Sequence, residues 1–123
     1  MKLIILDRDG VINQDRDDFV KSADEWIPIA GSMDAIAFLT EAGYTVAVAT
    51  NQSGIGRKYF TMQELTEMHN KMHRLAQQAG GVIDGIWFCP HTAADGCDCR
   101  KPLPGMVSDI LSRFNAEAAD TWL

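Results

Sequence analysis

A chain of 123 residues with 46% apolar and 23% charged residues has the make-up of one ordinary globular domain, large enough for a single core and too small for two. The net charge of -6 excludes general nucleic-acid binding, which relies on a basic field, and no apolar stretch approaches the length of a membrane span. Asp7 and Asp9 break the N-terminal apolar run too early for a secretory signal, so a cytoplasmic protein and a monomer are expected.

The first apolar run, Lys2 to Leu6, lacks strict alternation and reads as a parallel strand covered on both faces. It delivers the chain into "DRDG". The segment "SMDAIAFLTEAG" predicts a helix capped by Ser32, with Met33, Ile36, Ala37 and Leu39 apolar and Gly43 as its stop. A second strand, Tyr44 to Ala49, leads into "TNQSG". Thr61 and Glu64 then stand in capping-box spacing before a helix that carries Leu65, Met68, Met72, Leu75 and Ala79 on one face. A third strand, Gly85 to Phe88, runs into "CPHTAADGCDCRKP", and a further helix starting near Pro104 presents Met106, Val107, Ile110, Leu111 and Phe114. "ADTWL" enters a fourth strand. Strand alternating with helix predicts an α/β fold, a doubly wound parallel sheet, whose ligands bind beyond the carboxyl ends of the strands.

Those ends carry complementary chemistry. Two carboxylates one residue apart repel unless a cation or a reaction needs them, and Asp7 and Asp9 suit Mg²⁺, which prefers oxygen ligands and keeps waters for substrate. Asp7 is also suited to attack phosphorus, with Asp9 protonating the leaving group and then activating water. A lone D-x-D is more often a solvated turn with a capping Asp, so its weight comes from the neighbouring strand ends. Thr50, Asn51, Gln52 and Ser53 supply hydroxyl, amide and backbone donors for phosphoryl oxygens. "GIG" at Gly54 to Gly56 is not a dinucleotide loop, because the third glycine is missing and the loop follows the second strand. Arg100 and Lys101 bring cations, Arg as a two-pronged phosphate grip and Lys as a point charge. Acid, hydroxyl and base at successive strand ends are the electrostatic kit for phosphoryl transfer.

Cys89, His91, Cys97 and Cys99 give three thiolates and one imidazole, a complete tetrahedral Zn²⁺ set with no open position, hence a structural one. Such a zinc loop, residues 89–101, would aim Arg100 and Lys101 at phosphate; a reduced, metal-free loop is the alternative. His69 and His73 stand four apart on a helix, but "NKM" between them lacks the glutamate of a zinc protease, so they read as the border of a packed face.

"ILDRDGVIN", "TNQSGIGR" and "CDCRKPLPGM" resemble the haloacid-dehalogenase superfamily of phosphatases, in its capless branch of histidinol-phosphate and D-glycero-D-manno-heptose 1,7-bisphosphate phosphatases. The likeness runs through nearly the whole chain as a single domain, residues 1–123. It implies Asp7 as nucleophile and Mg²⁺ ligand, and Asp9 as general acid/base that binds Mg²⁺ through its backbone carbonyl. It also implies Thr50 and Lys101 holding the phosphoryl group, and Arg100 positioning the substrate. Arg8, Asn51, Gln52 and Ser53 are expected to bind substrate, with Asp15, Arg16, Asp17 and Asp18 where the family contacts the rest of the sugar. The implied activity is hydrolysis of a small phosphorylated sugar, the 7-phosphate of the heptose bisphosphate ahead of histidinol phosphate. A zinc-stabilised binding module without catalysis is the reading from another class. The family continues past Leu123 into a Gly-Asp segment that completes the Mg²⁺ site, so the chain is expected to be a truncated species lacking the C-terminal part of the sheet.

Overall fold

The apolar runs form strands β1 (Lys2–Leu6), β2 (Tyr44–Asn51) and β3 (Gly85–Cys89), joined by a short β4 (Thr121–Trp122). All pair in parallel, in the order β3-β2-β1-β4, so the four-stranded sheet has its carboxyl ends on one edge. In the computed structural model the described residues are 2–92, 95–97, 99–101, 104–116 and 121–122. Ala93 and Ala94 of the zinc-loop insert, Asp98, Pro102 and Leu103 of the last motif, and Ala119, Asp120 and Leu123 around the fourth strand lie outside them.

β2 runs two residues further than its apolar stretch predicts. Thr50 and Asn51 stay in the strand because β3 pairs with them, Thr50 opposite Phe88 and Asn51 opposite Cys89. The polar end of β2 is therefore held by ladder hydrogen bonds, which gives Thr50 and Asn51 a defined direction.

Helices cover both faces, as the unalternating strands require. Helices α1 (Ser32–Glu41), α2 (Ser53–Gly56) and α3 (Met62–Gln78) precede β3, and α4 (Gly105–Arg113) follows it. Val48 of β2 packs with Ile36 of α1 and with Leu65, Met68, Met72 and Ala76 of α3. Leu3, Ile5, Ala47 and Ala49 pack on the opposite face with Met106 and Ile110 of α4. Each large side chain fully buried in these layers stabilises the fold by about 1.5–3 kcal/mol relative to exposure.

Thr61 and Glu64 form the expected capping box at the start of α3. Ser32 is not the cap of α1. That place belongs to Gly31 in a left-handed conformation (φ 86°), while the Ser32 hydroxyl donates to the Ile12 carbonyl at 2.7 Å. Ser32 stands one position inside the helix, with its backbone already helical, so its hydroxyl is not placed to accept from the first-turn N–H groups. The connection from Asp7 to Gly31 folds back on itself without a helix, anchored by the buried Trp26 and by Lys71 Nζ, which donates to the Ala23 and Trp26 carbonyls at 2.7 and 2.6 Å. Among the described residues, 7–31 form no helix and no strand of their own that would cap the sheet edge.

Candidate active site

Past Leu6 the chain leaves the sheet with its side chains still alternating. Asp7 stands at the open edge with its side chain 47% exposed, and its Oδ1 accepts from the Arg8 N–H at 2.8 Å and from Lys101 Nζ at 2.9 Å. Oδ2 of Asp7 takes no donor among the described residues. Lys101 also donates to the Ala49 carbonyl at 2.8 Å, so a strand end aims its ammonium group at Asp7. Asn51 fixes the Lys101 backbone from the other side: its Oδ1 accepts the Lys101 N–H at 2.9 Å and its Nδ2 donates to the Lys101 carbonyl at 3.2 Å.

Asp9 is held by three side chains. Arg8 Nε and Nη2 donate to its Oδ1 at 3.0 and 2.8 Å, Asn13 Nδ2 donates to the same oxygen at 2.9 Å, and Gln52 Nε2 donates to Oδ2 at 3.0 Å. Gln52 also donates to Thr50 Oγ1 at 2.8 Å, which ties the acidic turn to the end of β2. Thr50 itself is 1% exposed. An open cavity of about 320 Å³ gathers Asp7, Asp9, Thr50, Asn51, Ser53, Arg100 and Lys101, and its outer rim adds Asp15, Arg16 and Phe19.

Several expected contacts fall elsewhere. Arg8 was expected to bind substrate, but it is fully buried and absent from the cavity wall, with its guanidinium between Asp9 and His69. Burial pulls its pKa down, opposed by the Asp9 charge. Gln52 is likewise buried and reaches the cavity only through Asp9 and Thr50. Asp17 and Asp18 do not line it; Arg16 and Lys21 hold the Asp18 carboxyl well below the usual carboxylate range. Phe19 is the rim residue that sequence reasoning misses. It adopts φ 69°, unusual for a bulky side chain, and its ring lies 5.4 Å from that of Tyr59. No periodic pattern signals such a residue.

His69 is buried on α3, whereas its neighbour His73 is exposed. Burial, with Arg8 adding repulsion, pushes the His69 pKa down to about 3, so the ring is neutral at ordinary pH.

The cysteine loop closes as the spacing suggests. Cys89 Sγ lies 3.5 Å from both His91 Nδ1 and Cys97 Sγ, His91 Nδ1 lies 3.3 Å from Cys99 Sγ, and Cys89 and Cys99 stand in disulfide contact. All four donor atoms fall within 4.8 Å of one another. A tetrahedron with metal–sulfur distances of about 2.3 Å has edges of about 3.8 Å, which the contacts of His91 and Cys97 approach; the donor set is that of zinc once Cys89 and Cys99 are thiolates. The loop couples to the rest of the site through the Gly56 N–H, which donates to the Pro90 carbonyl at 3.0 Å, and through Arg100 Nη1, 3.4 Å from the His91 carbonyl.

The acidic turn fits a hard divalent cation in a restricted way. Oδ1 of Asp9 takes three N–H donors and Oδ2 takes Gln52 alone, which leaves Oδ2 a lone pair for a proton, while among the described residues no group donates to its backbone carbonyl. Asp7 Oδ2 and the Asp9 carbonyl are thus the oxygens open to an oxygen-seeking ion such as Mg²⁺.

A parallel sheet with a carboxylate pair after β1, a hydroxyl at the end of β2 and a lysine returning to the first carboxylate defines a phosphatase fold of the haloacid-dehalogenase type. The chain belongs to the polynucleotide kinase 3 phosphatase family, whose profile matches residues 2–121. It is 81% identical over 123 residues to D-glycero-beta-D-manno-heptose-1,7-bisphosphate 7-phosphatase of Neisseria meningitidis serogroup A, a match covering 100% of this chain and 66% of that relative. The protein of the same name from Pseudomonas putida is 52% identical over 122 residues, with 99% and 70% covered. The crystal structure of D,D-heptose 1,7-bisphosphate phosphatase from B. bronchiseptica, complexed with magnesium and phosphate, is 60% identical, with a TM-score of 0.92 over 94% of this chain and 65% of that one. The chain spans just under two thirds of the length of the Neisseria relative. Among the described residues no helix is long and apolar enough to cross a membrane.

Proposed function

We propose that this protein is a Mg²⁺-dependent phosphatase that hydrolyses the 7-phosphate of D-glycero-D-manno-heptose 1,7-bisphosphate through an acyl phosphate on Asp7. The observation that carries the reading is the contact of Lys101 with Asp7 beside the buried Thr50 hydroxyl in one open cavity, in a chain 81% identical to a heptose bisphosphate 7-phosphatase.

The free oxygen of Asp7 attacks phosphorus, and the bond between phosphorus and the sugar oxygen breaks. Asp9 gives its proton to that departing oxygen, so the sugar leaves as an alcohol. Asp9 then takes a proton from a water that attacks the phosphorus of the acyl phosphate, releasing inorganic phosphate and restoring Asp7. Lys101, Thr50 and the Ser53 region bear the charge on the phosphoryl oxygens, and Arg100 orients the substrate from the rim. Asp7 and the Asp9 carbonyl would hold Mg²⁺, which supplies neutralisation of the charge that builds as the carboxylate meets the phosphate dianion. Asp15 and Arg16, at the outer rim, face the part of the sugar remote from the scissile bond. Zinc held by Cys89, His91, Cys97 and Cys99 would supply a fixed cross-link for the loop that carries Arg100 and Lys101.

The test is phosphate release from the heptose bisphosphate, with histidinol phosphate as comparator. Turnover of the former that is abolished in Asp7→Asn, with folding and zinc content retained, supports the proposal. Preferred turnover of histidinol phosphate overturns the substrate assignment, and phosphate release undiminished in Asp7→Asn overturns the nucleophile.

A further inference from the structure

Arg8 and His69 are buried, titratable and outside the cavity lining, yet their contacts run in series to Asp9. Arg8 presents two edges. Nε and Nη2 grip Asp9 Oδ1 at 3.0 and 2.8 Å, while Nη1 faces α3, 3.3 Å from His69 Nε2 and 3.9 Å from Met68 Sδ. We propose that His69 is a positioning residue that acts through Arg8 to hold the Asp9 carboxylate in its proton-transferring orientation. This rests on the phosphatase reading above.

The geometry favours positioning over mere stability. A buried ion pair returns little net free energy, because desolvating the guanidinium offsets its attraction to the carboxylate. Arg8 places two donors on Oδ1 while Gln52 donates to Oδ2, so the carboxylate is held at both oxygens and cannot rotate without losing charge-assisted bonds. The guanidinium must itself be fixed. Neutral His69 offers an Nε2 lone pair to Arg8 Nη1, a role open to it because its proton is lost in this surrounding. His69 in turn sits between Met68 and Met72 on a helix whose inner face is buried, so α3 serves as a rigid post. The order of support runs from α3 through His69 and Arg8 to Asp9, the Arg8–His69 contact joining residues 61 positions apart.

Asp9 is needed as an acid only when the leaving group is poor. Loosening it should therefore slow the hydrolysis of an alkyl phosphate more than that of an aryl phosphate whose leaving group departs as a stable anion. The experiment compares kcat/KM of the full chain, His69→Leu and His69→Gln on the sugar phosphate and on p-nitrophenyl phosphate, with melting temperatures recorded for each. His69→Leu should lose about tenfold or more on the sugar phosphate and less than about threefold on p-nitrophenyl phosphate, and His69→Gln, which restores an acceptor, should recover most of the loss. Arg8→Met should show the same selectivity, and the double variant should be no worse than Arg8→Met alone, since the two residues act in series. If His69→Leu does not fold, the Arg8→Met and His69→Gln pair carries the same comparison. Equal losses on both substrates, or no loss, overturn the positioning role and leave the phosphatase reading standing. A wild-type chain that hydrolyses neither substrate overturns that reading and this inference with it.

Discussion

The Asn51 side chain spans 50 residues of sequence to make two hydrogen bonds with the backbone of Lys101, at 2.9 and 3.2 Å. Asn51→Ala removes both and leaves the Lys101 N–H and carbonyl to find water. At about 0.5–1.5 kcal/mol net for each bond, the variant should lose about 1–3 kcal/mol, seen as a melting temperature lower by roughly 4–15 °C. The effect on catalysis should be larger in proportion. Lys101 reaches Asp7 Oδ1 at 2.9 Å from a loop otherwise tied through the Ala49 carbonyl and the zinc-ligand cluster. A displacement of about 1 Å at a charged contact of this kind can cost on the order of 100-fold in rate. Steady-state phosphate release should therefore show kcat reduced about 10- to 100-fold, with zinc content unchanged. A kcat within twofold of wild type, in a variant that melts lower, would refute the view that Asn51 places the lysine.

Acid should destabilise the protein through His69: the unfolded ring takes its proton near its ordinary pKa of 6.5, the folded one only at about 3, so stability is constant above about pH 6.5 from this group and falls as pH drops towards 3. The loss should be on the order of a few kcal/mol, read as a shallower acid denaturation profile in His69→Gln than in wild type; identical profiles would contradict it. Removing zinc with a strong chelator, then removing the chelator and restoring Mg²⁺ in excess, should leave phosphate release abolished in step with zinc loss, because Arg100 and Lys101 leave the cavity; full recovery with Mg²⁺ alone would contradict this. Gly56→Ala places a methyl 2.6 Å from the Pro90 carbonyl oxygen, a backbone atom that cannot turn aside, so zinc affinity should drop about tenfold or more in a competition titration.

Much of the fold was legible because strand and helix signals agreed with one another. The apolar runs marked the strands, the Thr61 and Glu64 pair marked the start of α3, and parallel pairing then gathered the strand ends on one edge. Arg8 was not legible, since a charge between two carboxylates suggests solvent. Strand alternation carried beyond Leu6 would have found it: Leu6 packs towards the α1 and α3 side, Asp7 stands out at the open edge, and Arg8 follows Leu6 inward. Ser32 misled for a different reason. The helix begins one residue earlier than a serine cap allows, with left-handed Gly31 at the cap and Ser32 already helical, its hydroxyl donating to the carbonyl of Ile12, 20 residues earlier, a contact no local pattern reveals. Gln52 and Phe19 depend on contacts between distant segments, Asp9 in one case and Tyr59 in the other, which sequence spacing does not encode.

The central claim is covalent chemistry at Asp7. Its most direct test is a rapid acid quench of the full chain mixed with the heptose bisphosphate and Mg²⁺, followed by reduction of any acyl phosphate and peptide mass analysis. A modification confined to Asp7, present during turnover and absent in Asp7→Asn, is the predicted result. Phosphate release proceeding through a burst with no modified Asp7, or with the label on another residue, would contradict the account.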